Sequence, residues 1–507
     1  MKKFIYATLA VAAVLLFASC KNDKNQPKNE KADAFISFTF NLPQGGTRAE
    51  ATSVDGATAG DTYVGTEAEQ AINNVRVVLY DPDSKEAKYA LDYSITSNGN
   101  AVPTGDGLAD NPAQAPTVAR FTTKAKGVVS QEYQMLAIVN PTAAVKTATA
   151  QGKYLADALA AIETTVDDLK GNGILMSNEQ GLVTVATDQM QADARAAEQA
   201  PVAVSVDRIL AKVFVGGKPT FENGKLTEIK WELNVTNKKT YIFRQFGKVV
   251  KGADFPDEVA KDGSTRFDRY AKDPNFLASE FNTADFTYLE GTPALTGTFG
   301  YDDANGQYCL ENTMDATMQK HNGTTSFVLS GIWTPTEHDD ITFETGKTWY
   351  SYQGFTFTKA KMVEYKGIVE DAAQNDKLEI AGTPAGFKAA LKAALNSTTN
   401  KLTVDGEGDV TAAGTFEGIK AYKDGVCYYQ TNLIRHFNDS QSGKDMGYGR
   451  YGVVRNNIYK INISKISQPG EPTIVPEDDN NDDPKNVFVS FDITVNPWIV
   501  RTQDISL

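Results

Sequence analysis

At 507 residues, 41% of them apolar and 22% charged, the chain is too long for one ordinary core and too evenly mixed to be disordered or membrane-embedded. The formal charge of −14 argues against nucleic acid and anionic membrane surfaces as partners of the body. Three cysteines, Cys20, Cys309 and Cys427, are too few for a disulfide framework and leave at most one Cys309–Cys427 bridge for the body.

The chain opens with an export signal. Lys2 and Lys3 precede an apolar run over residues 4–17, and Phe17-Ala18-Ser19-Cys20 forms a small-residue site ending in cysteine. The run falls short of the ~20 residues a spanning helix needs. Cys20 is the expected lipidation site, and the polar residues 21–33 read as a tether holding the folded part off the membrane.

Ile36, Phe38, Phe40 and Leu42 then alternate with Ser37, Thr39 and Asn41, the period of a strand with one buried face, and Pro43 stops it. Gln44-Gly45-Gly46-Thr47-Arg48 is small and turn-forming, so Arg48, followed by Ala49, is expected on a loop open to a trypsin-like protease. By itself Arg48 is an ordinary surface residue. Its interest lies in the strand that a cut would free.

From residue 72 the signals are short strands closed by turns: 75–80 before Asp81-Pro82, and 133–139 before Asn140-Pro141. Leu155, Leu159, Ile162, Val166 and Leu169 recur at intervals of three and four and predict a helix over 154–169. Runs 202–206 and 212–215 are expected to close a first domain, with Gly216-Gly217-Lys218-Pro219 as its boundary. Runs 229–235, 327–333, 425–429 and 457–463 belong to a second. Many short strands without regular helix alternation favour β-sandwiches over a parallel sheet. The expected division is a signal peptide over 1–20, a propeptide over 21–48, β-domains over 49–220 and 221–466, a linker over 467–486, and a terminal strand region over 487–507.

The linker holds four prolines and six acidic residues against one lysine, which suits an extended tether reaching on the order of 60 Å outside any core. Beyond it Val487, Val489, Phe491, Ile493 and Val495 alternate with Ser490, Asp492 and Thr494, a second one-face strand. Pro497 breaks it, and Trp498, Ile499 and Val500 form a further short apolar piece. An apolar strand on a solvated tether needs a partner, either its own domain or another chain. If cleavage after Arg48 removes residues 36–42, the first domain exposes a groove of matching length and period. The terminal strand of another copy can fill it, and this head-to-tail contact propagates as an open filament.

Phe17-Ala18-Ser19-Cys20, Arg48 after a strand, Tyr63-Val64-Gly65, Val453-Val454-Arg455-Asn456-Asn457-Ile458-Tyr459 and the close Val495-Asn496-Pro497-Trp498-Ile499-Val500 carry a resemblance. The sequence resembles the major-subunit fimbrillin of the short, or minor, fimbriae of Bacteroidota. That resemblance implies a mostly β fold of two transthyretin-like sandwich domains with a few helices and a C-terminal donor strand on a linker. It also implies an outer-membrane lipoprotein precursor, maturation by an arginine-specific protease, and strand-exchange polymerisation with itself and with fimbrial anchor or tip subunits. A fimbrium on the cell surface, adhesion to a host or bacterial receptor, and biofilm formation follow from the same family. The alternative is a tip or accessory adhesin, or a glycan-binding surface lipoprotein, suggested by the 10% aromatic content.

Enzymatic motifs are weak. Gly447-Tyr448-Gly449-Arg450-Tyr451-Gly452 has dinucleotide-fingerprint letters but precedes a β-like run. Gly346-Lys347-Thr348 lacks the first glycine of a phosphate loop, with Ile341 in its place. Asp479, Asn481 and Asp483 have calcium-loop spacing without the turn glycine or the closing carboxylate. His321, His338 and His436 do not pair at zinc spacing, and there is no Gly-x-Ser-x-Gly elbow. No catalytic residue, metal or cofactor is expected, and the chain reads as non-enzymatic.

Overall fold

A computed structural model of the chain describes residues 31–43, 65–110, 115–171, 173–245, 271–277, 280–314, 317–338, 341–371, 373, 379–436, 451–482, 491–493 and 499–506. Cys20, Arg48, Ala49, Val487, Val489, Val495 and Trp498 lie outside these residues. The architecture is mostly β with a few helices, and strand pairing changes partners at residues 209–210.

Before that point an eight-stranded sheet runs in the order Ala87–Tyr93, Val75–Tyr80, Tyr133–Val139, Met176–Asn178, Val202–Arg208, Phe38–Asn41, Arg120–Thr122, with Val183–Val185 added on Tyr133–Val139. Val75–Tyr80 and Tyr133–Val139 read as nearly continuous apolar runs because both of their faces are covered. In Val75–Tyr80, Val75, Val77 and Leu79 enter a core with Phe38, Tyr93 and Met135. Val78 and Tyr80, on the opposite face, join a second core with Phe214, Ile242, Leu310 and Ile458 from later in the chain. The period of two thus distributes one strand between two cores.

After residue 210 a six-stranded sheet runs Gln307–Cys309, Ala211–Gly216, Asn457–Ile466, Ile499–Ser506, Phe491–Ile493, with Thr220–Phe221 also on Asn457–Ile466. A four-stranded sheet comprises Gly297–Thr298, Gly224–Asn234, Ser326–Pro335 and Val426–Leu433. Val213, Val215, Trp231, Leu329, Trp333, Tyr459 and Ile461 fill the core that the two share. A further four-stranded sheet, Phe355–Thr358, Trp349–Tyr352, Ile419–Tyr422 and Gly414–Phe416, packs with helices Lys359–Glu370 and Phe387–Asn396 around a separate core of Tyr350, Phe357, Met362, Phe387 and Leu391.

Three sequence expectations are corrected. Residues 212–215 do not close the first set of strands; they pair in parallel with Asn457–Ile466 and antiparallel with Gln307–Cys309. Val213 and Val215 belong with Trp231 and Tyr459, and Gly217 sits at φ +131° against Ile463, where a Cβ would lie 2.4 Å from the carbonyl oxygen. The helix expected over 154–169 is two short helices, Leu155–Leu159 and Val166–Lys170, separated by the strand Ala161–Glu163, which pairs with Lys239–Tyr241. Thr165 starts the second helix afresh in a reciprocal cap with Asp168.

The third correction concerns the linker. Through residue 482 it is laid on the second set of sheets. Tyr428 and Glu471 exchange backbone hydrogen bonds of 2.8 Å, Gly291 and Ile474 do the same at 2.9 and 2.7 Å, and Ile474 and Asp482 are buried. Tyr422 and Tyr429 donate their hydroxyls to the carbonyls of Gly470 and Gln468, both at 3.0 Å. Val426–Leu433 lies at the end of its sheet, and the linker satisfies backbone groups that an edge strand would otherwise present to other chains.

Candidate assembly site

The strand expected to be removable is a central element of the first core. Ile36, Phe38 and Phe40 are fully buried, and Leu42 is half-buried against the same cluster. Phe38 meets Tyr93 edge-on with ring centres 6.5 Å apart, and Phe40 stacks on Phe121 at 5.1 Å. Each such side chain contributes roughly 1.5–3 kcal/mol on burial.

The opposite face is buried too, contrary to the one-face reading. Ser37 and Thr39 are each 1% exposed. Ser37 Oγ donates to the Thr123 carbonyl at 2.7 Å, Phe38 N donates to Thr123 Oγ1 at 3.0 Å, and the hydroxyls of Thr39 and Thr122 lie 2.8 Å apart. Short hydroxyl side chains can be buried here because each finds a partner. The strand also changes ladders at Ser37. Ala34–Ile36 pairs with Lys126–Val128, whereas Phe38–Asn41 lies antiparallel to Arg120–Thr122 and parallel to Val202–Arg208. Phe35 exchanges backbone hydrogen bonds with Gln191, and Leu42 N donates to Ala119 O at 2.9 Å. Withdrawal of this strand would open an apolar slot with unpaired backbone along both sides.

The far end of the strand touches a buried ionic cluster that sequence patterns did not reveal. Arg208 donates from Nη1 to Pro43 O and from Nε to Glu69 O, both at 3.2 Å. Glu69 lies in the short helix Glu67–Gln70, begun by a reciprocal cap between Thr66 and Glu69. Its Oε1 accepts from Lys212 Nζ at 2.8 Å and from the Tyr308 hydroxyl at 2.5 Å, with the Lys212 and Glu69 side chains only 1% and 3% exposed. Burial alone would raise the Glu69 pKa, but the Lys212 charge, with hydrogen bonds from Lys212, Tyr308 and the Thr66 N–H, holds it below its ordinary 4.5. A depressed folded pKa stabilises above the unfolded value and loses that contribution as pH falls through the folded one. Denaturation midpoints should therefore drop as the solution is acidified below about pH 4.5, and Glu69→Gln should flatten that part of the profile.

The resemblance motif 453–459 joins the two sets of strands. Arg455 pairs with Glu311 at 2.8 Å and donates to the carbonyls of Ile242 and Tyr241 at 3.0 and 2.7 Å. Asn456, at φ +60°, donates to Asp207 Oδ1 at 2.7 Å. The Tyr459 hydroxyl accepts from Val454 N and lies 2.8 Å from His436 Nδ1, so His436 is a structural residue of this turn.

The described part of the terminal region lies on the second set of sheets. Ile499–Ser506 runs parallel to Asn457–Ile466, and Phe491–Ile493 lies antiparallel to it, pairing Phe491 with Ile505 and Ile493 with Gln503. Within one chain the slot holds residues 34–41 and the terminal hairpin sits elsewhere. Cys309 and Cys427 are free and buried, with burial pushing both thiols up to about 12. Among the described residues no group of three or more His, Cys, Asp or Glu side chains could hold a metal ion, and no helix is long and apolar enough to cross a membrane.

The family model described as Major fimbrial subunit protein (FimA) matches residues 34–208, and that described as Major fimbrial subunit protein type IV, Fimbrillin, C-terminal, matches residues 420–504. No curated protein matches the sequence. Among solved structures, a fimbrilin (fimA) from Porphyromonas gingivalis W83 is 14% identical over 94% of this chain and 98% of its own, with a TM-score of 0.39. A fimbrial assembly protein from Parabacteroides distasonis ATCC 8503 is 13% identical over 60% and 100%, with a TM-score of 0.26. The tip fimbrial protein Mfa3 from Porphyromonas gingivalis is 14% identical over 61% and 83%, with a TM-score of 0.28. The first family model spans the strands from the buried Ala34–Ile36 to Val202–Arg208, the second takes in the closing strands, and together they cover just over half of the sequence: the chain belongs to the fimbrillins, the family of major fimbrial subunit proteins.

Proposed function

We propose that this fimbrial subunit is a structural, stalk-forming one of the short-fimbria type. It is exported as a lipoprotein through Cys20, cut after Arg48 by an arginine-specific protease, and polymerised head to tail. In this reading Val487, Val489, Phe491, Ile493 and Val495, followed by Trp498, leave their own molecule and replace Ile36, Phe38, Phe40 and Leu42 in the next copy. Adhesion and biofilm formation are properties of the resulting filament, and anchor or tip subunits bind through the same slot or strand.

One observation carries the reading. The strand at 34–41 fills the middle of a core and has a ladder on each side, yet a cut after Arg48 would sever its only covalent link to the body that follows. While it stays in place the acceptor is occupied, so cleavage acts as the switch for assembly. The terminal hairpin, paired at the edge of the six-stranded sheet, is the second element that must move.

The test compares three proteins: chain cut after Arg48, uncut Arg48→Ala chain, and cut chain truncated after Asp482. Only the first is expected to give detergent-stable ladders on a gel. A cut, full-length chain that stays strictly monomeric would overturn the proposal.

A further inference from the structure

We infer that the terminal strand enters the slot in a single register, with Phe488-Val489-Ser490-Phe491 taking the places of Phe35-Ile36-Ser37-Phe38. This rests on the strand-exchange reading and specifies what the slot recognises.

The two segments are near copies. Residues 34–42 read Ala-Phe-Ile-Ser-Phe-Thr-Phe-Asn-Leu, and residues 487–495 read Val-Phe-Val-Ser-Phe-Asp-Ile-Thr-Val. Aligned without a gap, Phe35, Ser37 and Phe38 recur as Phe488, Ser490 and Phe491, and every inward apolar residue meets another. Alternation alone would accept a shift by two residues in either direction, since only odd shifts exchange the faces. The slot distinguishes these alternatives.

Ser37 is 1% exposed and donates its hydroxyl to the Thr123 carbonyl. A shift by two one way puts Phe488 in that closed space. The opposite shift puts Asp492 there, an ionised carboxylate facing a carbonyl with no hydrogen to give it. It also puts Pro497 where Leu42 N now donates to Ala119 O, and proline has no N–H. Reversing the strand about Phe491 again brings Asp492 to the Ser37 position. In the aligned register Ser490 repeats the bond to Thr123 O and Val495 N meets Ala119 O. Asp492 replaces Thr39 opposite Thr122, whose hydroxyl can donate to it. Thr122 and Thr123 therefore read the register, through Asp492 and Ser490, and the apolar positions supply the burial.

Thr122 and the residue at position 39 are direct cross-strand partners, so cysteines there lie within bridging reach, while positions two residues away do not. Cut Thr122→Cys chains would be mixed with cut chains carrying Asp492→Cys, Ser490→Cys or Thr494→Cys and oxidised mildly. An uncut Thr39→Cys/Thr122→Cys chain, closing its own disulfide, controls for folding and geometry. The expected result is an intermolecular bridge with Asp492→Cys and about tenfold less with the other two. Preferential bridging by Ser490→Cys or Thr494→Cys, or ladders with no bridge at all, would overturn the register and leave strand exchange standing. Failure of the cut chain without introduced cysteines to form ladders would overturn both.

Discussion

Replacing Arg455 with methionine is expected to lower folding stability by about 3–5 kcal/mol, read as a shift in the denaturation midpoint. Arg455 and Glu311 are paired with only 2% and 3% of their side chains exposed. Methionine fills much of the same space but leaves the Glu311 carboxylate buried without its counter-charge, and takes two donors from the carbonyls of Ile242 and Tyr241. The double variant Arg455→Met/Glu311→Gln should recover a large part of the loss, because it removes the uncompensated charge. Equal losses in the single and double variants would mean that shape, and not charge, is what Arg455 supplies.

The second large effect depends on which form of the protein is measured. Phe38→Ala empties a fully buried site beside Tyr93 and should destabilise the uncut chain by about 3–5 kcal/mol. If strand exchange displaces residue 38 from assembled subunits, the heat resistance of ladders from cut protein should match that of the unsubstituted protein. Where alanine prevents folding, Ile36→Val gives the same division at about 0.5–1.5 kcal/mol. Ladders weakened by either change would show that residues 34–42 remain in the assembled subunit.

Much of this architecture was legible because it rests on side-chain periodicity. Ile36, Phe38 and Phe40 alternate cleanly, and they are core residues. What escaped the sequence depends on partners supplied by distant segments. Ser37 and Thr39 look solvent-facing by composition, and only the hydroxyls and carbonyl at Thr122 and Thr123 make their burial tolerable. Glu69 and Lys212 are 143 residues apart, and neither belongs to a recognisable local motif. Ile499–Ser506 continues through Arg501, Thr502, Gln503 and Asp504, a polar stretch in which backbone pairing, invisible to hydropathy, sets the strand. The sheet-and-helix unit between residues 349 and 422 was also missed, although Phe387, Leu391, Ala394 and Leu395 are buried at helical spacing.

If strand exchange joins the copies as proposed, the docked linker sets how far apart neighbours can sit. Were residues 467–486 loose, a subunit could swing on a leash of tens of ångströms. With the chain pinned to its own body through Asp482, only residues 483–486 separate that anchorage from the first residue of the exchanged strand. Four fully extended residues span about 14 Å. Copies joined by so short a span must abut, which would make the filament a stiff column whose repeat is set by the length of the folded body.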